Sequence, residues 1–407
     1  MLKRISVEQL RPGMYVNELC GSWMDHPFWR SAFPLKSEED LRRIRESGIS
    51  EVWIDTSRGS DVDAGVSKEE AETQVEHRLL VASDGAPRRE LVPIEEEMES
   101  AARLCAKAKS AVVSMFQEAR MGKALDARHA LPLVEEISES VMRNPGALIS
   151  LARLKKRDDY TYMHSVAVCA LMVALSRQLD LDKEQTRQAG LGGLVHDLGK
   201  SVVPAEILGK PGKLNDEEFR LIKLHPQEGH ALLVAGRGAG PIPLDVCLHH
   251  HEKVDGSGYP HRLGGKDITL FAKMGAVCDV YDAITSNRPY KNGWDPGDSL
   301  RKMAEWSGHF DEKVFRAFVK SIGIYPVGSL VRLESGHLGV VLEQNSEALL
   351  SPRVRIFFSI KANSHVAPRV LDLSHANCRD RIADREDPVR WNLGDISKFW
   401  AGEARPY

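Results

Sequence analysis

The chain has 407 residues, of which 42% are hydrophobic and 28% charged, and its formal net charge is −3. This length exceeds what one hydrophobic core usually supports, so we expect two or three domains. The slight acidic excess excludes the basic surface that duplex nucleic acid requires. No apolar run reaches the roughly 18 residues of a membrane helix. The six cysteines form no CxxC pair, which is typical of a cytoplasmic protein.

The N-terminal residues 1–58 have the pattern of a small mixed α/β domain. Ser37 followed by Asp40 predicts the start of a short helix, and Glu51–Asp55 alternates as a strand does. Residues 59–93 are polar, acidic and without clear periodicity, which predicts a linker.

A long amphipathic helix is predicted over residues 94–127. Its apolar residues follow a 4-3 spacing and line one face. They are Ile94, Met98, Ala101, Cys105, Ala108, Val112, Met115 and Ala119. Two interpretations stay open for the 94–119 face: a homodimer seam, or packing against the helix's own domain.

The sequence pattern of residues 128–324 predicts a series of helices joined by short connections. Asp182 with Gln185, and Asn215 with Glu218, resemble capping boxes that begin two of these helices. The second of these helices is predicted to end around His225-Pro226. Beyond them, residues 325–407 contain short β-branched runs and a polar end, which predicts a β-rich appendage and tail. The expected fold is therefore mainly α, with small sheet regions at both ends.

A histidine cluster occupies the predicted helical region. Eight of the fifteen histidines lie between His164 and His261, including the run His249, His250 and His251. A single histidine in such a region is more often a core residue whose hydrogen bonds are satisfied. The clustering of these histidines indicates a metal centre. Helical arrays build such centres from facing helices.

Seven side chains are the candidate metal ligands. Nitrogen and oxygen donors without thiolate favour iron or manganese, with zinc, nickel, cobalt or magnesium as alternatives. Seven donors are too many for one ion, so we expect two divalent ions that share Asp197. One ion takes His164, His196, Asp197 and Asp279, and the other takes Asp197, His225, His250 and His251.

Two ions about 3.5–4 Å apart acidify a bridging water to hydroxide and hold the oxygens of a phosphoryl group. Lys200, one helical turn beyond the His196–Asp197 pair, is the candidate catalytic cation. Arg288 and Lys291 are candidates for holding the substrate's phosphates, against a solvated surface role.

Four further residues lie near the candidate ligands in sequence. His230, His249 and His261 are placed outside the direct ligand set. Asp282 either orients a ligand histidine or serves as an exposed or capping residue.

Residues 145–325 resemble the HD-GYP domain of bacterial cyclic di-GMP phosphodiesterases. Six motifs in order carry this resemblance. They are Tyr162-Met163-His164-Ser165, His196-Asp197-Leu198-Gly199-Lys200, His225-Pro226, His250-His251-Glu252 with Asp255-Gly256-Ser257-Gly258-Tyr259-Pro260, Asp279-Val280-Tyr281-Asp282-Ala283, and Arg288-Pro289-Tyr290. Residues 1–60 are similar to an uncharacterised domain that often precedes it.

The resemblance implies the same metal ligands and phosphate contacts from Arg288 and Lys291. It also implies that the loop Gly258-Tyr259-Pro260 lies beside the substrate and contacts GGDEF-type diguanylate cyclases. The implied reaction opens cyclic di-GMP to linear pGpG and sometimes continues to GMP. A three-metal branch of the family has Glu four residues before its first histidine; here that residue is Tyr160, so two ions are expected.

Two alternatives to this function stay open. One is a phosphohydrolase of the wider His-Asp superfamily that acts on another nucleotide. The other is a non-catalytic receptor that binds cyclic di-GMP and signals through protein contacts. Turnover of a panel of nucleotides distinguishes all three.

Overall fold

The computed structural model describes residues 1–21, 32–83, 91–155, 160–210, 214–286, 293–345 and 348–401. Arg288 and Lys291, the predicted phosphate contacts, lie outside the described residues. As the sequence predicts, the described chain is mainly helical, with one five-stranded sheet near each end. Within these ranges, no helix combines the length and apolar character needed to cross a membrane.

The N-terminal unit is an antiparallel sheet with one helix packed on it. Its elements are β1 (Leu2–Ser6), β2 (Tyr15–Cys20), β3 (Phe33–Pro34), α1 (Glu38–Glu46), β4 (Glu51–Asp55) and β5 (Val66–Ser67). The strand order is β3-β2-β4-β1-β5. Helix α1 begins where predicted, because the Ser37 hydroxyl accepts a hydrogen bond from the Asp40 main-chain N–H at 3.1 Å. The predicted helix and the predicted strand β4 are both confirmed.

Helix α2 (Lys68–Ser83) lies where the sequence predicts a linker. It packs against two later helices, α13 (Pro296–Glu305) and α14 (Glu312–Ile322). Its buried face consists of Ala71, Val75, Leu79 and Ala82. Four apolar positions are enough to give a helix one buried face. The prediction missed this helix because most residues of the 59–93 segment are polar, so its overall composition resembles that of a linker.

Helix α3 (Ile94–Arg120) carries the predicted apolar face. That face is buried within the chain, where it packs against three following helices, α4 (Leu131–Arg143), α5 (Pro145–Arg153) and α6 (Tyr160–Gln178). Of the two interpretations of this face, the structure therefore shows packing against its own domain. The homodimer seam is not supported, because the seam residues are already covered.

The remaining helices complete the array around α6, most of whose residues are buried. They are α7 (Lys183–Val195), α8 (Ala205–Leu208), α9 (Asp216–Ile222), α10 (His225–Ala235), α11 (Pro241–His249) and α12 (Leu270–Thr285). The two predicted capping boxes are present, at Asp182 before α7 and at Asn215 before α9.

One helix boundary differs from the prediction. The sequence suggests a helix that ends near His225 and Pro226, but α9 ends at Ile222 and His225 is the first residue of α10. A proline is well tolerated in the first turn of a helix, since the N–H that it lacks has no partner within the helix there. His225 therefore lies at a helix start, where its side chain faces the centre of the array.

The C-terminal sheet is antiparallel and has the strand order β10-β6-β7-β8-β9. Its strands are β6 (Leu330–Leu333), β7 (His337–Glu343), β8 (Arg353–Ser359), β9 (Ser364–Asp372) and β10 (Ile382–Arg385). Side chains from β6, β7 and β8 join the cores of the helical array, so this appendage is part of the same body.

The N-terminal unit docks on α13 through polar contacts. Lys302 forms an ion pair with Glu18. Arg4 donates to the main-chain oxygen of Glu305 at 3.4 Å, and Arg78 of the neighbouring helix α2 donates to that of Ala304 at 2.5 Å. These contacts hold the N-terminal sheet against the helical domain.

Candidate metal centre

The seven predicted ligands come together at the ends and centres of five helices. His164 lies in α6, His196 and Asp197 follow α7, His225 begins α10, His250 and His251 follow α11, and Asp279 lies in α12. Six of them are at most 3% exposed, and His251 is partly buried. The structure thus gathers residues from across about 115 positions of sequence into one buried cluster.

The first donor group consists of His164, His196 and Asp279. His164 Nε2 lies 2.8 Å from Asp279 Oδ1 and 3.3 Å from His196 Nε2. His196 Nε2 lies 3.7 Å from the same Asp279 oxygen. Three donor atoms this close can share one metal ion.

The second donor group consists of His225, His250 and His251. His225 Nε2 and His250 Nε2 are 3.2 Å apart. The His251 ring packs against that of His250, with ring centres 4.2 Å apart, and its Nδ1 lies 3.7 Å from Asp279 Oδ2.

Asp197 lies between the two groups and turns one oxygen toward each. Its Oδ2 is 3.5 Å from His196 Nε2 and 3.6 Å from His164 Nε2. Its Oδ1 is 3.2 Å from His225 Nε2 and 4.0 Å from His250 Nε2. Each donor group therefore faces one oxygen of the same carboxylate.

Four of the imidazoles are oriented from behind through Nδ1. His196 and His225 each donate to a main-chain oxygen at 2.7 Å, on Gly193 and Ile222 respectively. His250 donates to the main-chain oxygen of Cys247 at 3.0 Å, and His164 Nδ1 lies 2.6 Å from Asp282 Oδ2. Such partners fix the tautomer that leaves Nε2 without a proton, as a metal ligand requires.

The protonation states of the three imidazoles in the second donor group also favour metal binding. Burial, together with His196 and His225, lowers the pKa of His250 to about 3. Burial likewise lowers the pKa of His225 and of His251. These three rings are neutral at physiological pH, which is the form that binds metal.

The two central carboxylates are ionised. Burial alone raises the pKa of Asp197, but Lys200 and His196 outweigh it and hold that pKa well below its ordinary value. Asp279 is held low in the same way by His164 and His196, again against burial. Asp197 Oδ1 and Asp279 Oδ2 have no hydrogen-bond partner among the described residues, although both atoms are buried. Buried, ionised oxygens without a hydrogen-bond partner are suitable ligands for a bound cation.

His196 differs from the other rings. Burial lowers its pKa, but Asp197 and Asp279 outweigh burial and raise that pKa above its ordinary value. A proton therefore competes with metal for this nitrogen more effectively than for His250.

Lys200 follows Asp197 by three residues, and its Nζ lies 2.5 Å from Asp197 Oδ2. About 20% of this side chain is exposed, whereas Asp197 is buried. The Lys200 side chain thus links the buried carboxylate of Asp197 to solvent.

Gly199 allows this turn to approach α10 closely. A Cβ atom on Gly199 would lie 1.9 Å from the main-chain oxygen of His225. Since two non-bonded heavy atoms cannot lie that close, any side chain here would displace the start of α10 and the His225 ring with it.

The Gly258-Tyr259-Pro260 loop covers one edge of the cluster. The Tyr259 ring stacks on the His251 ring, with centres 4.7 Å apart and planes 25° apart. Glu252, to which the sequence analysis gave no role beyond its motif, holds the loop by accepting from the main-chain N–H groups of His261 at 2.7 Å and Leu263 at 3.0 Å.

Three histidines predicted to lie outside the ligand set are absent from the donor groups found among the described residues. His249 bonds to Asp245 at 2.8 Å and to His261 at 3.1 Å, on the outer side of α11. His230 is partly buried.

Asp282 is buried and contacts His164, so the alternative of an exposed residue is wrong. Its second partner is Lys155, which sequence analysis missed. Lys155 belongs to a run of charged residues, 155–159, and only the fold shows that its side chain is buried.

Comparisons with known proteins agree with this geometry. A domain of unknown function, DUF3391, matches residues 2–130, and the HD domain matches residues 139–314. The chain is 56% identical over 406 residues to the protein called cyclic di-GMP phosphodiesterase PA4108 of Pseudomonas aeruginosa, spanning 100% of this chain and 97% of that protein. The chain belongs to the HD-GYP family. An HD domain implies a divalent metal, and the donor groups of this HD-GYP protein fit one.

Two other relatives of this HD-GYP protein match over shorter stretches. The cyclic di-GMP phosphodiesterase response regulator RpfG of Xanthomonas campestris is 34% identical over 191 residues, covering 46% of this chain and 50% of that protein. The 3'3'-cGAMP-specific phosphodiesterase 1 of Vibrio cholerae is 35% identical over 167 residues, covering 40% of this chain and 38% of that protein.

Proposed function

We propose that this chain is a metal-dependent phosphodiesterase that hydrolyses cyclic di-GMP to linear pGpG. The observation that carries the proposal is the pair of donor groups on either side of Asp197. The substrate follows from the 56% identity, along the whole chain, to a protein named for that activity.

The proposed centre holds two divalent ions. The ligands are His164, His196, Asp197, His225, His250, His251 and Asp279, with Asp197 shared. Five imidazoles and two carboxylates favour iron or manganese, and zinc, nickel, cobalt and magnesium are the alternatives. A pair of such ions supplies an activated water and neutralises phosphoryl oxygens.

The chain's own residues do the rest. Lys200 donates to a phosphoryl oxygen as negative charge grows there, because its ammonium lies beside Asp197 and still reaches solvent. The Tyr259 ring, which is partly exposed and backed by His251, is the proposed stacking contact for a guanine base. Arg288 and Lys291 stay predicted phosphate contacts that lie outside the described residues.

The product is expected to be pGpG. Tyr160 occupies the position of the extra acidic ligand found in the three-metal branch, and its ring is stacked on His164 with centres 5.9 Å apart. With two ions, we expect the second cleavage, from pGpG to GMP, to be slower than the first.

Two features bear on partners and location. The Gly-Tyr-Pro loop borders exposed residues, including Ser257, His261 and Arg262, and is the proposed contact for a GGDEF-type cyclase. Pull-down of a purified cyclase domain by wild type but not by Arg262→Glu is the expected result.

All six cysteines are free thiols, which supports the proposed cytoplasmic location.

The test is a turnover assay on anaerobically purified protein. Cyclic di-GMP, 3'3'-cGAMP and pGpG are supplied separately, and products are separated by chromatography. We expect cyclic di-GMP to be converted fastest. If 3'3'-cGAMP alone were converted, the chain would instead have the substrate specificity for which the Vibrio relative is named. Tight binding of cyclic di-GMP without turnover, in metal-loaded protein, would establish the receptor alternative.

A further inference from the structure

Lys155 places a positive charge in the interior, behind the metal centre. None of its side chain is exposed, and its Nζ donates to Asp282 Oδ2. The ammonium also lies 5.3 Å from the centre of the Tyr160 ring. Burying an ammonium group is costly unless it is paired, so the fold keeps Lys155 here only together with its carboxylate partner.

The carboxylate that Lys155 contacts is itself bound to a proposed ligand. Asp282 Oδ2, the same oxygen, lies 2.6 Å from His164 Nδ1, and Asp282 Oδ1 accepts from the Ser286 hydroxyl at 3.3 Å. His164 Nε2 then faces Asp279 at 2.8 Å. A continuous chain of contacts therefore runs from Lys155 through Asp282 and His164 into the first donor group.

Among the described residues, no buried lysine–carboxylate pair contacts His225 or His250 of the second donor group. His225 and His250 donate to main-chain oxygens, whose positions are set by the helices themselves. The orientation of His164 depends instead on a side-chain carboxylate, which needs its own partner to stay in place. Removal of Lys155 should therefore weaken one group and spare the other.

We propose that Lys155 is a positioning residue which, through Asp282, holds His164 in the orientation and tautomer that bind metal. The inference rests on the proposed metal centre and adds to it a residue specific to the ion held by His164, His196 and Asp279. Outer partners of ligand histidines typically change metal affinity by about 10–100-fold.

The experiment measures metal content and metal release rather than turnover. Wild type and Lys155→Met are loaded anaerobically with manganese, passed through a desalting column, and mixed with a chelator. Wild type is expected to retain two ions per chain. Lys155→Met is expected to release one ion about 10–100-fold faster than wild type and the other at the wild-type rate.

Three variants separate positioning from a general packing role. Lys155→Arg keeps the charge and should restore slow release in large part. Lys183→Met makes the same substitution at an exposed position outside the centre and should release both ions as wild type does. The double variant Lys155→Met with Asp282→Asn should release the ion no faster than Asp282→Asn alone, because both changes act on one chain of contacts.

The outcomes divide cleanly. Wild type that binds no metal would overturn the proposed function itself. Wild type with two ions and a folded Lys155→Met that releases both at the wild-type rate would overturn the role of Lys155 alone, as would additive effects in the double variant. Should Lys155→Met fail to fold, a crystal structure of metal-loaded wild type decides: Nζ beyond 4 Å from both Asp282 oxygens would overturn the proposal.

Discussion

His225 and His250 face each other through ring nitrogens that lack a proton, with their Nε2 atoms 3.2 Å apart. Each ring has its Nδ1 proton committed to a main-chain oxygen, and burial lowers the pKa of both rings. Two lone pairs held this close repel each other unless a cation lies between them. This pair is the feature that a purely structural histidine cluster would not need.

Replacing His225 by Gln should therefore remove one ion and leave the other. The variant keeps a polar side chain of similar size but loses the imidazole that closes the second donor group. We expect one ion per chain and a fall in kcat/KM well beyond the 10–100-fold that loss of a supporting partner costs. Elemental analysis together with turnover checks this. Retention of two ions would show that His225 is not a ligand.

Replacing Lys200 by Met should slow the reaction without unloading the metal. Its ammonium contacts Asp197, and the Nδ1 partners that orient His164, His196, His225 and His250 are other groups. Loss of one donor to a developing oxyanion costs about 10²–10³-fold in kcat. The expected result is that loss with two ions retained. A variant with reduced metal content instead would assign Lys200 to holding Asp197, and wild-type kcat would remove it from the mechanism.

Replacing Tyr259 by Ala should mainly raise KM. Its partly exposed ring stacks on His251 and is the proposed stacking contact for guanine, and base–aromatic stacking contributes about 1–3 kcal/mol. That range corresponds to roughly 5- to 150-fold in KM. Tyr259→Phe, which keeps the ring, is the matched control and should stay near wild type. Equal defects in both variants would point to the hydroxyl rather than the ring.

Replacing Asp295 by Asn should change how stability depends on pH. Asp295 caps α13 and accepts from the main-chain N–H groups of Gly297 and Leu330, both at 2.8 Å, yet burial raises its pKa to about 7. The ordinary value is 3.8, so between these two values the folded chain holds a proton that the unfolded chain has lost. Wild-type stability must then fall as pH rises through this window, by up to about 1.4 kcal/mol per unit.

The Asn side chain does not titrate, so it escapes this loss. The difference in melting temperature, variant minus wild type, should move in favour of Asp295→Asn from pH 5 to pH 7 and then level off above pH 8. Both proteins are compared in the same metal-loaded state, so that metal release cancels. A constant difference across this range would show that Asp295 is ionised in the folded chain throughout.

Much of the helical domain was predictable because its signals are local. The capping boxes at Asp182 and Asn215 mark helix starts through contacts three residues apart, and both helices begin there. The apolar face of α3 follows from spacing alone. The ligand candidates follow from residue type, since imidazoles and carboxylates are concentrated in one part of the chain.

The features that escaped prediction depend on tertiary contacts. Helix α2 is polar on most of its surface. Its narrow apolar face is recognised as a buried face only once its packing against α13 and α14 is known. Lys155 belongs to a charged run, and nothing in the sequence shows that it meets Asp282, 127 residues later. The choice between a dimer seam and a core face for α3 likewise required knowing which helices lie beside it.

The most direct test of the two-ion centre is the metal content of Asp197→Ala, measured with turnover of cyclic di-GMP on the same anaerobic sample. Asp197 lies between the two donor groups and is the proposed shared ligand, so its loss should empty the centre to below one ion per chain and reduce turnover to background. Asp267→Ala, an exposed aspartate outside the cluster, should keep two ions and full turnover. An Asp197→Ala protein with two ions and wild-type turnover would contradict the account.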